Sequence, residues 1–596
     1  MNNDKIYTIL KDTFGYSSFR GNQEEIIYSV LSGKDALVIM PTGGGKSICY
    51  QIPSLASKRL GIVVSPLIAL MDDQVTALTQ MGVNAAAIHS NSKDSERVYD
   101  DIEKGELEIL YVSPEKILSP GFINYLKEKE VALFAIDEAH CVSVWGNDFR
   151  PDYVKLSVLK ENFKDVPILA LTATADSATQ EDIIKQLGLE VNDAFISSFE
   201  RENIKTLARS GLKRKEQILK FLALHQNDSG IVYCLSRKST EQLASAIRAR
   251  GYKAEAYHAG IDGEQRRKVQ TAFQNDDIQI VCATIAFGMG IDKPNIRWVI
   301  HYNMPKNIES YYQEIGRAGR DGNPAETLLF YSWGDYVNLK RFIDDGGADA
   351  TFKTVQTAKL ERMWQFATAI SCRTNVVLNY FGEYRNTRCM HCDNCINPPQ
   401  LFDGTRYAQM VLSAVIRTKE AIGINILIDI LRGGYTQEVK YNQYNLIKTF
   451  GVGRDIPFLD WKHYVTQCIN QGILRIDFTD SSRLKITPLS MAVLKEGKTI
   501  QLAKFVPEDK KKAKPIKLNV DTTDADSNLV ATLREWRKDK ASELGVPAYI
   551  VFNDKALLQI ATLKPRSDAA LLAVEGIGKV KVSKYGPAIL EMVGQS

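Results

Sequence analysis

Met40-Pro-Thr-Gly-Gly-Gly-Lys-Ser47 follows the apolar run Ala36-Leu-Val-Ile39 and leads into a helical pattern beginning at Ile48. A short, continuous apolar run bounded by turn residues reads as a buried parallel strand. The glycines of the turn let backbone N–H groups approach phosphate oxygens, and the helix N-terminus adds positive potential. In such a loop Thr42, Gly43, Gly44 and Gly45 line the phosphate cradle. Lys46 reaches the β- and γ-phosphates, and the Ser47 hydroxyl ligates Mg²⁺. A glycine-rich turn that merely caps a helix is the plainer reading. The Gly-Lys-Ser order in a strand–loop–helix context favours the nucleotide. Met40 stands where the phosphate-loop pattern has its first glycine.

Working outward, apolar runs alternate with amphipathic helical stretches over the first 340 residues or so. Strands are expected at Ala36–Met40, Gly61–Ser65, Ile109–Val112, Leu133–Asp137 and Ile168–Thr172. A second set is expected at Gly230–Cys234, Ala254–His258, Gln279–Ala283, Trp298–Tyr302 and Thr327–Tyr331. Two sets of five predict two α/β domains with parallel sheets, joined near Phe199–Lys215. Asp137-Glu-Ala-His140 ends one buried strand, where ligands gather in open α/β sheets. Asp137 is expected to hold the metal and Glu138 to orient or deprotonate the attacking water. A chance acidic helix start is the bland alternative. In the second domain, Gln313-Glu-Ile-Gly-Arg-Ala-Gly-Arg320 places Arg317 and Arg320 on one helical face. Guanidinium groups there would meet the charge dispersed over a transferring phosphoryl group, which makes hydrolysis depend on domain closure. Solvated surface arginines are the usual case, but Gly316 and Gly319 point to close backbone approach.

A chain of 596 residues is too long for one core. Hydrophobic content of 44% and charged content of 24% are those of ordinary globular protein, and a net charge of +4 demands no polyanionic partner. The opening residues carry no secretory pattern, and no run approaches ~18 apolar residues, so a cytoplasmic protein without a membrane span is expected. Cys372, Cys389, Cys392 and Cys395 are grouped while the other cysteines are scattered, which predicts one metal site in a reducing compartment. Four thiolates suit tetrahedral Zn²⁺. An iron–sulfur cluster competes, although its usual bacterial spacing is missing, and free thiols are the third alternative.

Beyond residue 400 a helical pattern over Asp455–Gly472 precedes two alternating segments, Leu474–Phe478 and Leu484–Ile486, the order of a winged helix. Winged helices bind duplex DNA or serve as protein contacts. The lysine-rich stretch at Lys510–Lys514 is a spacer or a phosphate-contacting arm. A helical unit of about seventy residues ends the chain.

Taken together, these segments resemble the RecQ family of superfamily 2 DNA helicases over nearly the whole length. Phe19-Arg-Gly-Asn-Gln23, Ser65-Pro-Leu-Ile68, Leu171-Thr-Ala-Thr174, Tyr257-His-Ala-Gly260 and Ala286-Phe-Gly-Met-Gly-Ile-Asp292 extend the match. Val546–Asp554 and Val574–Lys579 resemble the HRDC module. The resemblance implies RecA-like domains at 1–205 and 206–340, a helical zinc module at 341–402, a winged helix at 403–506, a linker at 507–526 and an HRDC domain at 527–596. It implies that Tyr16 and Arg20 sandwich adenine, that Gln23 reads its edge, and that the four cysteines hold zinc. It also implies that Val144–Tyr153 is an aromatic-rich loop coupling single-stranded DNA to hydrolysis. Trp145 and Phe149 would stack on bases and Arg150 would bind phosphate; packing in a core is the alternative for the two aromatics. The chain departs from the family at Gly21-Asn22 and at Asn147, where histidine is usual. The activity implied is an ATP-dependent 3′→5′ DNA helicase in repair, recombination and the SOS response, with ATP, Mg²⁺ and Zn²⁺. The partners implied are single-stranded and duplex DNA, single-stranded-DNA-binding protein and other repair proteins, in the nucleoid-associated cytoplasm. An RNA helicase, a translocase that does not unwind, and a DNA-binding scaffold with a dead motor are the other readings. The last is disfavoured by intact Lys46, Glu138 and Arg320.

Overall fold

The computed structural model of the chain describes residues 3–595 apart from 90–91, 93–94, 144–149, 192–193, 289–292, 347–349, 386, 478–479 and 505–525. Among them, strands β1 (Ala36–Ile39), β2 (Leu60–Val64), β3 (Ala85–Ile88), β4 (Ile109–Val112), β5 (Val131–Ile136), β6 (Ile168–Thr172) and β7 (Phe195–Ile196) form one sheet. Its order is β3-β4-β2-β5-β6-β1-β7, and every pairing is parallel. A second parallel sheet contains β8 (Ile204–Ser210), β9 (Ser229–Tyr233), β10 (Ala254–Tyr257), β11 (Ile280–Ala283), β12 (Ile296–His301) and β13 (Ala325–Tyr331). Its order is β10-β11-β9-β12-β13-β8. The central strands are buried on both faces because helices cover each side, which is why their sequences are unbroken apolar runs. Fit within the second sheet is close. Trp298 on β12 lies in register with Gly230 on β9, where a Cβ would fall 2.1 Å from the indole, so only glycine admits the ring.

All ten expected strands are present, with ends within two residues of the expected ones. Within the two lobes three described strands were not expected, namely β3, β7 and β8, and each sits at a sheet edge. β8 runs through the stretch read as the junction between the two lobes and across the expected boundary between residues 205 and 206. One apolar cluster spans the lobes and the helices that follow them: Ile39 and Phe134 of the first, Met304 and Tyr311 of the second, Phe366 and Phe381 beyond.

After β13 come helices Trp333–Asp345, Ala350–Ala367 and Arg373–Tyr380, which carry the cysteine group at their end. Residues 403–502 form a separate core under helix Phe458–Asn470, with Trp461 fully buried and its indole N–H donating to the Gly453 carbonyl at 2.9 Å. The antiparallel pair Leu474–Asp477 and Arg483–Ile486 is the expected wing. Helices from Ser527–Leu544 to Lys579–Gln595 enclose the last core, where Arg537 is buried against Asp554 at 2.7 Å. Lys510–Lys514 lies outside the described residues. No helix among the described residues is long and apolar enough to cross a membrane.

Candidate active site and metal centre

A cleft of about 340 Å³ opens between the two sheets. It collects Tyr16, Thr42, Gly43, Gly45, Lys46, Ser47, Asp137 and Glu138 from the first lobe and Gln313, Arg317 and Arg320 from the second. The loop after β1 has its glycine-demanding geometry. Gly43 and Gly45 have φ of 81° and 84°, and a Cβ on Gly44 would stand 2.9 Å from the Pro41 carbonyl oxygen. Lys46 is partly buried and donates to the Met40 carbonyl at 3.1 Å. Burial lowers its pKa, against the pull of Glu138 and Asp137. A negative phosphate in the cleft would favour its charged form.

β5 delivers the acidic pair. Asp137 N–H donates to the Val64 carbonyl at 2.9 Å, and Glu138 adopts a left-handed φ of 50°, a conformation found mostly at functional sites in residues other than glycine. His140 Nδ1 lies 3.2 Å from Glu138 Oε2 and 2.9 Å from Thr172 Oγ1. Burial alone would discharge His140; hydrogen bonds to Cys141 and to the Glu138 carboxylate outweigh it and raise the imidazole to about 10. Burial likewise works against the Glu138 charge, but His140 holds the carboxyl down to about 2. Burial and the neighbouring Glu138 charge push Asp137 up to about 7. A divalent cation between Asp137 and Ser47 would reverse that. Both are cleft-lining oxygen donors of the hard type Mg²⁺ prefers.

The two lobes touch at this site. Thr172 Oγ1 accepts from the Thr174 N–H at 3.3 Å, and Gln313 Nε2 donates to Thr174 Oγ1 at 3.1 Å. A line of polar contacts therefore runs from Glu138 through His140, Thr172 and Thr174 into the second lobe. The Cβ position of Gly43 is 3.4 Å from Arg320 Cα. Helix Ile308–Ile315 ends before the arginines, so Arg317 and Arg320 lie on the turn that follows it, where Gly319 takes φ 59°, and not on the expected helical face; this turn rests against the phosphate loop. Arg201, which no motif marks, staples the contact. Its guanidinium donates to the Thr42 carbonyl and to the carbonyls of Ala318 and Gly319 at 3.2 and 3.3 Å.

The residues expected at the base differ in placement. Arg20 Cζ lies 5.6 Å from the centre of the Tyr16 ring. Gln23 Nε2 donates to the carbonyls of Gly45 and Gly44 at 3.1 and 3.3 Å, so its amide braces the phosphate loop here rather than standing free at the purine edge. It is buried beneath that loop, which explains the difference. Trp145 and Phe149 lie outside the described residues. Arg150 donates to the Pro66 carbonyl at 3.0 Å, which ties it to Ser65-Pro-Leu-Ile68.

The four cysteines converge, with their Sγ atoms all within 4.8 Å of one another and Cys389 Sγ 3.8 Å from Cys395 Sγ. Zn–S bonds of about 2.3 Å in a tetrahedron require sulfurs roughly 3.8 Å apart. Backbone N–H groups of Arg373, Cys389 and Cys392 point at the sulfurs of Cys392, Cys372 and Cys389 at 3.3–3.4 Å, the outer contacts thiolates need. His391 engages the Cys389 carbonyl through Nδ1 at 2.7 Å and stays outside the sulfur group.

Comparison with known proteins agrees with this geometry. Residues 20–183 match the DEAD/DEAH box helicase family and 213–322 the helicase conserved C-terminal domain. Residues 333–396 match the RecQ zinc-binding family, 398–511 the RQC domain and 526–593 the HRDC domain. The chain is 41% identical to the ATP-dependent DNA helicase RecQ of Haemophilus influenzae over 98% of its own length and 95% of that protein's. It is 36% identical to the RecQ of Bacillus subtilis, over 99% and 98% of the two lengths. With the zinc, RQC and HRDC segments all following the paired helicase domains, the chain belongs to the RecQ family of ATP-dependent DNA helicases.

Proposed function

We propose that this protein hydrolyses ATP in the interlobe cleft to move along single-stranded DNA and part the duplex ahead of it. The observation that carries the reading is the polar line from Glu138 through His140, Thr172 and Thr174 to Gln313, which links the hydrolytic carboxylate to the opposite lobe. In this reading Thr42, Gly43, Gly44 and Gly45 cradle the phosphates and Lys46 binds the β- and γ-phosphates. Mg²⁺, when bound at Ser47 and Asp137, neutralises phosphate charge. Glu138 orients or deprotonates the attacking water. Arg317 and Arg320 meet the charge on the γ-oxygens, Tyr16 and Arg20 form the base subsite, and Gln23 braces the phosphate loop. Departure of phosphate releases the arginines, and the lobes separate. Parting each duplex step costs about 1.4 kcal/mol, which makes a fuel necessary. The 3′→5′ polarity, the role in repair and recombination, and single-stranded-DNA-binding protein as a partner follow the family resemblance.

Strand displacement on partial duplexes with 3′ or 5′ single-stranded tails tests the proposal. Wild type is expected to unwind the 3′-tailed substrate with ATP and Mg²⁺, and Lys46→Ala to unwind neither. Turnover stimulated by single-stranded RNA but not DNA would redirect the assignment to an RNA motor; failure to hydrolyse ATP with either strand would end it.

Arg150 carries the coupling of DNA to hydrolysis in this reading, with Trp145 and Phe149 beside it. Its tie to Pro66 puts it against Ser65-Pro-Leu-Ile68, one residue from the cleft-lining Ser65. Arg150→Ala is expected to lower DNA-stimulated turnover by about tenfold, in keeping with loss of a charge-assisted contact, while basal hydrolysis is spared. Undiminished stimulation in that variant would remove Arg150 from the DNA path.

A further inference from the structure

The C-terminal helical unit lies across the rim of the nucleotide cleft. Gly576 N–H donates to the Gly15 carbonyl at 3.1 Å, and Lys579 pairs with Asp12 at 2.8 Å. The backbones are so close that a Cβ on Gly578 would stand 2.8 Å from the Asp12 carbonyl oxygen. On the other lobe Lys538 pairs with Asp277 at 3.1 Å, and Asn553 lines the cleft itself. The unit thus bridges both lobes. At its inner edge Glu575 uses one oxygen for Lys555, at 2.6 Å, and the other for the guanidinium of Arg20.

Arg20 is one half of the base sandwich, and its position has a consequence. A purine between ring and guanidinium needs two contacts of about 3.5 Å each, roughly 7 Å in all. Arg20 Cζ stands only 5.6 Å from the Tyr16 ring centre. The slot is therefore closed while Glu575 engages the arginine.

We infer that Glu575 is a positioning residue that latches the purine slot, so that docking of the C-terminal unit and entry of the base compete for Arg20. The inference rests on the reading of Tyr16 and Arg20 as the base subsite. Competition is reciprocal: a docked unit weakens nucleotide binding, and bound nucleotide weakens docking. ATP affinity is then set from a domain whose sequence is remote from every motor motif.

The test measures ADP and inorganic tripolyphosphate binding to the full chain by calorimetry. An exposed ion pair is worth little, so Glu575→Gln is expected to tighten ADP about threefold to fivefold. Gly578→Val, which forces the whole unit off without touching Arg20, is expected to tighten ADP by about tenfold, a usual size for coupling between sites. Glu575→Asp should stay near wild type. Tripolyphosphate, which has no base, should bind all four proteins alike. ADP affinity unchanged or weakened in both Glu575→Gln and Gly578→Val would overturn the latch, as would equal tightening of tripolyphosphate. Binding is read apart from hydrolysis, so failure of the motor assignment shows separately, as absent DNA-stimulated turnover in wild type.

Discussion

Arg320→Ala is expected to lower kcat for DNA-stimulated ATP hydrolysis by about 10³- to 10⁵-fold, the range measured when a guanidinium is withdrawn from a transferring phosphoryl group. That corresponds to roughly 4–7 kcal/mol of barrier. The reason is geometric. Arg320 belongs to the second lobe, yet its backbone rests beside Gly43 of the phosphate loop. It is near enough to Lys46 to oppose that residue's charge. Arg201, the first-lobe guanidinium at the contact, does not take over this position, because it is engaged with backbone carbonyls. Since the charge it meets develops in the transition state, KM for ATP should move by less than about tenfold. Arg320→Lys should recover only part of the rate, because an ammonium lacks the planar fork. The measurement is steady-state turnover at saturating single-stranded DNA, with thermal unfolding as the control for integrity. A kcat within tenfold of wild type would remove Arg320 from the reacting centre.

The motor was legible because its chemistry is local. The phosphate loop follows β1 and the acidic pair follows β5, and buried parallel strands are unbroken apolar runs, so strand and loop announce each other. The strands that escaped reading are the edge ones. Ala85-Ala-Ala-Ile88 has one strand partner and little β-branched character, and Ile204–Ser210 mixes buried Ile204, Thr206 and Leu207 with half-buried Lys205 and Arg209. With one side open, an edge strand needs no continuous apolar run and looks like a connection. The site divides the same way. Lys46, Asp137, Glu138 and Arg320 sit in motifs, whereas Arg201 acts through carbonyls that any sequence supplies. Glu575 meets Arg20 across 555 positions of chain. Neither contact has a period or a spacing to read. Gln23 was legible as a functional residue, but its hold on the phosphate-loop carbonyls is a matter of burial depth that the motif does not encode.

Cys392→Ser is expected to abolish zinc binding and to unfold the region that joins the motor to the winged helix. Cys392 is fully buried, and its sulfur accepts the Arg373 N–H at the start of helix Arg373–Tyr380. That helix end is a junction. Arg373 Nε pairs with Asp393 at 2.5 Å, and the other Asp393 oxygen accepts the Ala208 N–H of β8 at 3.0 Å. Phe381, at the helix's far end, stacks on Phe199 with centres 4.3 Å apart, and Asn379 donates to the Asn470 carbonyl of the winged-helix core at 2.9 Å. Thiolates at this spacing repel one another unless a cation binds them, so without the metal the sulfurs separate and these contacts lose their anchor. Loss of a structural metal ranks with substitutions costing more than about 4 kcal/mol. For a cooperative unit of roughly 150–250 residues that lowers the unfolding midpoint by about 8–16 °C. The metal content of purified protein should fall from about one zinc per chain to near none, and a strong chelator should lower the midpoint of the wild type in the same way. A serine variant free of zinc that unfolds at the wild-type temperature would show that the cysteine group holds nothing together; one that retains stoichiometric zinc would remove Cys392 from the ligand set.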